Sequence, residues 1–304
     1  IIEVMVALTI VVALLSSCAA LSVGRIVPSP HLVAACRIVP TPHTVLNVVT
    51  RRHVSRAREP RCGWGPEPVW SELSIASIED AAEGLKAVTI TPADGTADGF
   101  TVPGQYVQIR QPGAEKAGFF AIASAPGASG PFEFLIKETP PSDWSPGTGW
   151  LTGAEAGAGL DMSQVMGGGF KIAEHIDEVE RVLLFAAGSG ISPIRSVIES
   201  GALSGKDVEL YYGVRTPAHA AYLDKFDAWS DLGVQYTLCV SAADTAPLQA
   251  CTGYVQDVAK AAQAFSSAPE KTLILMCGMK GMAMGIKEMA AEAGIDEARV
   301  LANF

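Results

Sequence analysis

Two patterns of apolar and polar positions follow one another along the chain from about residue 67 to residue 304. The first consists of short alternating or β-branched runs separated by Gly, Pro and Asp, which is typical of strands with one face buried. The clearest of these runs are Ala87–Thr91, Gln105–Arg110, Phe119–Ser124 and Phe132–Lys137. They predict a small antiparallel β-barrel as a first domain over residues 67–176.

After residue 177 the pattern changes to strands that alternate with helices. The predicted strands are Val182–Ala187, Val208–Val214, Val234–Val240 and Leu273–Cys277, with a last short strand from Val300. The predicted helices are Ile194–Ser200, Ala218–Trp229, Tyr254–Ala264 and Met279–Ala293. Strands joined by helices in this way form an α/β doubly wound parallel sheet, so a second domain is expected over residues 177–304.

Residues 1–66 have a different composition and predict a targeting leader that packs no core. Ile1–Leu21 is almost wholly apolar and ends in small residues, like a signal peptide, and the Arg-rich segment that follows resembles a transit peptide. A cleaved two-part leader of this kind is typical of plastid (chloroplast) proteins in algae. The alternatives are a membrane anchor and an incorrectly assigned start of the reading frame.

Charge and cysteine content narrow the class of protein. Residues 1–65 carry seven arginines and two glutamates, which leaves 15 basic and 30 acidic residues in the remainder. An acidic body without a basic tract argues against nucleic-acid binding. The six cysteines show no metal-ligand or iron-sulfur spacing, and no metal site is expected. Because Cys239, Cys251 and Cys277 cannot all pair with one another, a reducing compartment is the simpler assumption.

A glycine turn, Gly188-Ser189-Gly190, follows the first predicted strand of the second domain. Glycines allow a sharp turn and a close approach of the backbone to a pyrophosphate, which the next helix N-terminus stabilises. A short glycine turn alone is a weak signal, but this one lies at the first strand of a βα unit. The turn therefore suits a dinucleotide site, and the alternative is an ordinary tight turn between a strand and a helix.

Several motifs occur in an order that resembles the ferredoxin-NADP reductase family. They are Pro103–Val107, Phe120–Ser124, Phe134–Lys137, Gly188–Pro193, Tyr212–Arg215, Thr252–Gln256 and Cys277–Met282. The resemblance covers residues 70–304 and is strongest to a plastid branch of that family. It implies an FAD-binding barrel, an NAD(P)-binding domain, and an enzyme that passes electrons from NAD(P)H through FAD to an unidentified acceptor.

The resemblance also implies which residues contact the cofactors. Those expected at the flavin are Phe120, Ile122, Ala123, Ser124 and Lys137, together with the glycine-rich helix start Gly147, Thr148 and Gly149. Those expected at the nicotinamide nucleotide are Gly188, Ser189, Gly190, Pro193, Arg215, Ser241, Tyr254, Gly278 and Met279. Two residues are expected at the reacting rings: Cys277 beside the nicotinamide and Phe304 covering the flavin. Without the family, Cys277 is a buried thiol at a strand end and Phe304 a terminal aromatic that fills an interface.

The chain departs from the family pattern where an Arg-x-Tyr-Ser signature holds the flavin. Gly118, Phe120 and Ala121 stand at its three positions, so the arginine that pairs with phosphate and both hydroxyl groups are missing. The alternative function is therefore a non-catalytic nucleotide-binding or assembly protein that retains the reductase fold. Arg215 is either a 2'-phosphate contact or a solvated arginine, and the plastid context favours NADP(H) over NAD(H). The acidic body disfavours an acidic ferredoxin as the acceptor.

Overall fold

The computed structural model describes residues 66–140, 142, 146–242 and 250–303. The predicted targeting segments and membrane anchor lie outside these residues, as does Phe304. Within the described part of the chain, no helix is both long enough and apolar enough to cross a membrane.

The first domain is a curled six-stranded antiparallel sheet in the order β4-β3-β6-β1-β2-β5. Its strands are β1 Trp70–Ala82, β2 Leu85–Ile90, β3 Tyr106–Arg110, β4 Gly118–Ala121, β5 Phe132–Lys137 and β6 Gly159–Ser163, with helix α1 Pro146–Thr152 between the last two. The register of β1 shifts between Ile75 and Ser77 and between Asp80 and Ala82, as at β-bulges that bend a strand. The bend lets β1 pair with both β6 and β2. Just after β4, the Ala123 amide donates to the Glu133 carbonyl of β5 at 2.7 Å, which links the segment after one outer strand to the other outer strand.

The second domain is a parallel sheet in the order β10-β9-β8-β7-β11-β12. Its strands are β7 Arg181–Ala187, β8 Asp207–Val214, β9 Val234–Val240, β10 Cys251–Thr252, β11 Thr272–Cys277 and β12 Val300–Ala302. Its helices are α2 Ile191–Glu199, α3 Phe226–Asp231, α4 Val255–Ala261 and α5 Lys280–Ala293. Separate apolar clusters cover the two faces of this sheet. Chain order reverses between β7 and β11, and such a reversal marks the usual ligand crevice of an open α/β sheet.

Short 3-10 helices occur in the connections of both domains. In the first domain and the segment that follows it they are Ala97–Gly99, Ile172–Glu174 and Ile176–Glu178. In the second domain they are Gly188–Gly190, Pro217–His219, Leu223–Lys225, Ala264–Ser266, Pro269–Lys271 and Glu297–Arg299.

The predicted fold class is confirmed, but some element bounds were wrong. The helix predicted over Ala218–Trp229 is broken into two 3-10 turns and the short α3, because Tyr222 has a φ of +62°, which an α-helix does not accommodate. The helix predicted over Tyr254–Ala264 ends at Ala261 for a similar reason, with Gln263 at a φ of +58°. The strand predicted over Phe119–Ser124 ends at Ala121, before a segment that turns towards α2.

Helix α2 is held against the first sheet by a buried ionic cluster. The Arg195 side chain is 4% exposed and bonds Glu133 on β5 at 2.7 Å and Glu199 on its own helix at 3.0 Å. Its guanidinium also lies over the ring of Tyr222. Burial alone would raise the pKa of the Glu133 carboxyl, but the bond from Arg195 outweighs burial and holds this pKa below its ordinary value. The cluster therefore orients α2, whose first turn borders the predicted dinucleotide site.

Candidate nucleotide and flavin site

Two glycine turns meet where β7 and β11 end side by side. A Cβ placed on Gly190 would lie 2.2 Å from the carbonyl oxygen of Cys277, and one placed on Gly278 would lie 2.9 Å from the Cβ of Ala187. Gly188 has a φ of +55°, in the left-handed region that favours glycine. The predicted residues Gly188, Gly190, Cys277 and Gly278 are therefore brought together at the crevice. A side chain at Gly190 or at Gly278 would force the two turns apart.

Helix α2 begins directly after the first turn and presents the amides of its first turn to the crevice. It has nine residues and no acidic side chain in that turn, so its positive end is not neutralised. Pro193 is buried in the same turn, where its missing amide hydrogen costs no helical hydrogen bond. Ser189 lies between the two glycines and is partly buried. This arrangement fits the pyrophosphate of a dinucleotide.

The residues predicted for the adenine half also lie together, at the ends of β8 and β9. The Ala242 amide donates to the Arg215 carbonyl at 3.0 Å, which places Arg215 beside Ser241, and both are exposed. The Gly253 amide donates to the Val240 carbonyl at 2.9 Å, so Tyr254 follows at the same edge with its side chain 58% exposed. An arginine, a hydroxyl and an exposed aromatic ring suit a ribose or its phosphate and an adenine.

Cys277 lies at the carboxyl end of β11 and is partly exposed. Burial raises the pKa of its thiol to about 12, so the group is neutral near pH 7. A neutral thiol is a poor nucleophile, and a contribution through shape and contact at the nicotinamide fits this environment better than covalent chemistry. Met279 follows at the start of α5, and its side chain is 66% exposed beside the crevice.

The first domain supplies the opposite wall of the crevice. The Ser192 hydroxyl in the first turn of α2 donates to the Ala121 carbonyl at the end of β4, at 3.4 Å. The Asn303 side-chain amide donates to the Gly104 carbonyl at 2.9 Å, and its backbone amide donates to Met276 at 3.0 Å. Ser192 and Asn303 were not singled out in the sequence, because their roles depend on contacts between distant segments. The end of β4 therefore lies directly against the dinucleotide turn.

An aromatic pair that the sequence motifs did not identify lies on the outside of the first sheet. The rings of Tyr106 and Phe119 are 5.6 Å apart, and the Phe119 side chain is 60% exposed. A Cβ on Gly167 would lie 2.6 Å from the Tyr106 ring, so this glycine allows the ring to pack flat against the chain. The available signal was the Phe119-Phe120 pair, since only one of two neighbours on a strand can face the core.

Phe120 is the inward member of that pair. It is 7% exposed, and a Cβ on Gly118 would lie 2.6 Å from its ring. The start of α1 packs on the same strand, because a Cβ on Gly147 would lie 2.6 Å from the Gly118 amide nitrogen. Thr148 and Gly149 continue that helix. The ring of Phe120 therefore fills the space over Gly118 in which the family's phosphate-binding arginine would lie.

The remaining residues predicted at the flavin are buried or distant. Ile122 and Ala123 are fully buried, so only their backbones could reach a cofactor. Ser124 is 6% exposed, and its carbonyl accepts a hydrogen bond from the Ser196 hydroxyl of α2 at 2.8 Å. Lys137 is exposed at the far end of β5, beside Leu85.

The two cofactors fit the described site unequally. The glycine turns and the start of α2 fit a nicotinamide dinucleotide. On the flavin side, Tyr106 and Phe119 offer an aromatic face, but Gly118 supplies no side chain to pair with a diphosphate and the Phe120 ring lies over it.

Comparison with known proteins agrees with this geometry. Residues 184–288 match the oxidoreductase NAD-binding domain family. The chain is 29% identical over 248 residues to the fruit protein pKIWI502 of Actinidia deliciosa. The aligned region covers 77% of this chain and 76% of the fruit protein. It is 28% identical to the reductase component of propane 2-monooxygenase from Mycolicibacterium goodii, over 67% of this chain and 58% of that protein. The chain thus spans little more than half of that reductase component.

Solved structures show the same fold. A ferredoxin NADP+ reductase from Neisseria gonorrhoeae with bound FAD and NADP matches with a TM-score of 0.66 and 17% identity, over 78% of this chain and 100% of that one. The CS-b5R domains of human Ncb5or in the NAD+ form match with a TM-score of 0.66 and 18% identity, over 79% of this chain and 70% of that one.

Residues 184–288 match the oxidoreductase NAD-binding domain family, and the chain has the fold of ferredoxin-NADP reductase-type proteins. Proteins of this class are NAD(P)H-dependent flavin oxidoreductases, and the predicted class is confirmed. The plastid branch, the individual site residues and the choice of nicotinamide nucleotide stay predictions.

Proposed function

We propose that this protein takes electrons from NAD(P)H, by way of FAD, and passes them to a separate acceptor. One observation carries the proposal: the hydrogen bond from Ser192 to Ala121 sets the dinucleotide turn directly against the end of β4. A nicotinamide held at Cys277 would then face the strand that carries the flavin in this class. FAD, when bound, supplies the hydride acceptor. The protein orients the nicotinamide and flavin rings and excludes water.

NADPH is the proposed donor, because Arg215 and Ser241 lie side by side at the adenine end of the crevice. A charge-assisted bond from an arginine to a phosphate is worth about 1.5–3 kcal/mol. Replacing Arg215 with Ala should therefore lower kcat/KM for NADPH by about 10- to 100-fold and change kcat/KM for NADH little. Arg299→Ala is the matched control, since Arg299, just before β12, bonds the carbonyl of Glu270, just before β11, away from this edge. An equal loss with both nucleotides would contradict the assignment.

The acceptor is proposed to be a redox partner other than an acidic ferredoxin. Matched relatives are named as a reductase component of propane 2-monooxygenase and an electron transfer component of 2-halobenzoate 1,2-dioxygenase, so electron delivery to another protein is a precedent among similar chains. The excess of acidic residues over residues 66–304 opposes docking of a second acidic protein.

Absorbance of the purified full chain tests the proposal. After incubation with FAD and removal of free flavin, the protein should be yellow, bleach under anaerobic NADPH, and recover its colour when an acceptor is added. A protein that stays colourless at high FAD concentration would contradict the flavin step.

A second candidate function is nucleotide binding without flavin chemistry. The position of Phe120 over Gly118 favours it, because this ring fills the space in which the family's phosphate-binding arginine would lie. Binding of NADPH to a protein that stays free of flavin, measured by calorimetry, would support this candidate and exclude the first.

The Arg-rich, acid-poor composition of residues 1–66 supports delivery to a plastid as a further part of the proposal. A fusion of these residues to a fluorescent protein should accumulate in plastids of an algal host. Uniform fluorescence in the cytosol would contradict this location.

A further inference from the structure

Two cysteines are direct neighbours at the edge of the parallel sheet. Strand β10 pairs with β9 in a register that sets Cys251 opposite Cys239. Neighbouring strands lie about 4.8 Å apart, and disulfides form between Cα atoms about 4.4–6.8 Å apart. Residues opposite each other in a sheet also point to the same face. The backbone register therefore places the two Cα atoms at a separation that a disulfide can span.

The third cysteine of the described region cannot compete for either partner. Cys277 ends β11, and strands β8 and β7 lie between β11 and β9. Three strand spacings correspond to about 14 Å, beyond the range of a disulfide. The pair is thus fixed by topology.

The environments of the two thiols differ in a way that sets an order of reaction. Cys251 is exposed, whereas Cys239 is fully buried in the cluster that covers one face of the sheet. Within the described part of the chain, the Cys239 thiol donates one weak hydrogen bond, 3.8 Å to the Thr237 carbonyl. An oxidant from solution therefore meets Cys251 first. Burial raises the pKa of the Cys239 thiol to about 12, so its attack on the Cys251 mixed disulfide is the slow step.

We propose that Cys239 and Cys251 form a redox-active dithiol that closes to an intrachain disulfide. The oxidant is a small disulfide such as glutathione disulfide. The Cys251 thiolate attacks one sulfur of the oxidant, the oxidant's S–S bond breaks, and one small thiolate leaves. Cys239, after losing its proton to solvent, attacks the Cys251 sulfur and releases the second small thiolate. Two protein thiols are oxidised, one small disulfide is reduced to two thiols, and the two protons pass to the leaving thiolates.

The disulfide would act on the adenine edge of the crevice. Strand β10 has two residues, and it leads through Gly253 to Tyr254 at the start of α4. Ser241 directly follows β9, the other strand of the β9–β10 pair. A covalent link across these strands fixes the distance between the segments that carry the two side chains. This consequence rests on the proposed function, whereas formation of the bond does not.

Peptide mapping of the full chain tests the proposal. The protein is incubated in glutathione buffers of increasing oxidation, its free thiols are alkylated, and it is digested without reduction for mass spectrometry. The expected result is one linked pair of peptides carrying Cys239 and Cys251, formed in the wild type and in Cys277→Ser, and absent from Cys251→Ser and Cys239→Ser. Circular dichroism checks that each variant is folded.

Two other results would overturn the proposal. The first is Cys251 that carries glutathione but never links to Cys239, even in fully oxidised buffer. The second is a link from Cys251 to Cys18, Cys36 or Cys62, or to a second copy of the chain. The map needs neither FAD nor a nicotinamide nucleotide, so its outcome is independent of whether the proposed function holds.

Discussion

Replacing Phe120 with Ala tests whether the ring over Gly118 controls access of flavin to the first domain. If the FAD diphosphate uses that space, the ring, now 7% exposed, has to leave its buried position on binding. Exposing a buried Phe side chain costs about 1.5–3 kcal/mol. The Ala variant avoids this cost, so its Kd for FAD should fall by about 10- to 100-fold. Removal of the ring should also lower the free energy of unfolding of the unliganded protein by about 3–5 kcal/mol.

Titration of flavin fluorescence measures the affinity, and urea unfolding without flavin measures the stability. Phe134→Ala is the matched control, because Phe134 is 1% exposed in the same core but does not lie over Gly118. It should lose similar stability and gain no affinity. If either Ala variant fails to fold, the corresponding Leu variants provide the same comparison with smaller cavities.

One result would refute the reasoning: an unchanged or weaker FAD affinity in a folded Phe120→Ala protein. The space over Gly118 would then be irrelevant to flavin binding. Restoring the arginine gives a second check, since Gly118→Arg places a Cβ 2.6 Å from the Phe120 ring. Any gain in FAD affinity from Gly118→Arg should therefore be larger when Phe120→Ala is also present.

Two further predictions concern the nucleotide turn and the ionic cluster. Gly190→Ala should abolish NADPH binding measured by calorimetry, because its Cβ would lie 2.2 Å from the Cys277 carbonyl. Gly281→Ala in α5 is the control and should bind normally, since its Cβ would meet no atom within 4 Å. Normal binding by Gly190→Ala would show that the turns can separate. Glu133→Gln should lower the free energy of unfolding near pH 7 by about 1–3 kcal/mol. It should also make that free energy fall less steeply as the pH is lowered. The reason is that the pKa of Glu133 lies below its ordinary value of 4.5 in the folded protein, so its stabilisation is present above that value and is lost as the pH falls through the lower folded pKa. If urea unfolding shows the same fall in free energy of unfolding at acidic pH in Glu133→Gln as in the wild type, the pH dependence belongs to other carboxyl groups.

The second domain was predicted well because its signals are local. Strand β9 has the predicted bounds Val234–Val240, and the glycine turn after β7 needed only a strand, a glycine pair and a helix in sequence. The first domain was predicted less completely. Strand β1 was not among the clearest runs, since its register shifts interrupt the alternation of a regular strand.

The site was predicted only in part, because some of its features depend on contacts between residues that are far apart in the sequence. Arg215, Ser241 and Tyr254 were named from motifs, and the structure brings them to one edge. The position of Phe120 could not be predicted, because it depends on Gly118 and on helix α1 lying close together. The kink at Tyr222 was missed for the same reason, since its ring is held by Arg195 from another helix.

The bond between Asn303 and Gly104 has a consequence for synthesis of the chain on the ribosome. The two residues are 199 positions apart, so translation at about 5–20 residues per second separates them by about 10–40 seconds. During that interval the first sheet can fold, but the crevice wall formed by Asn303 is still missing. The nascent chain is therefore expected to leave the Gly104 side of the crevice uncovered until β12 is released, and this is the stage at which a chaperone would protect it.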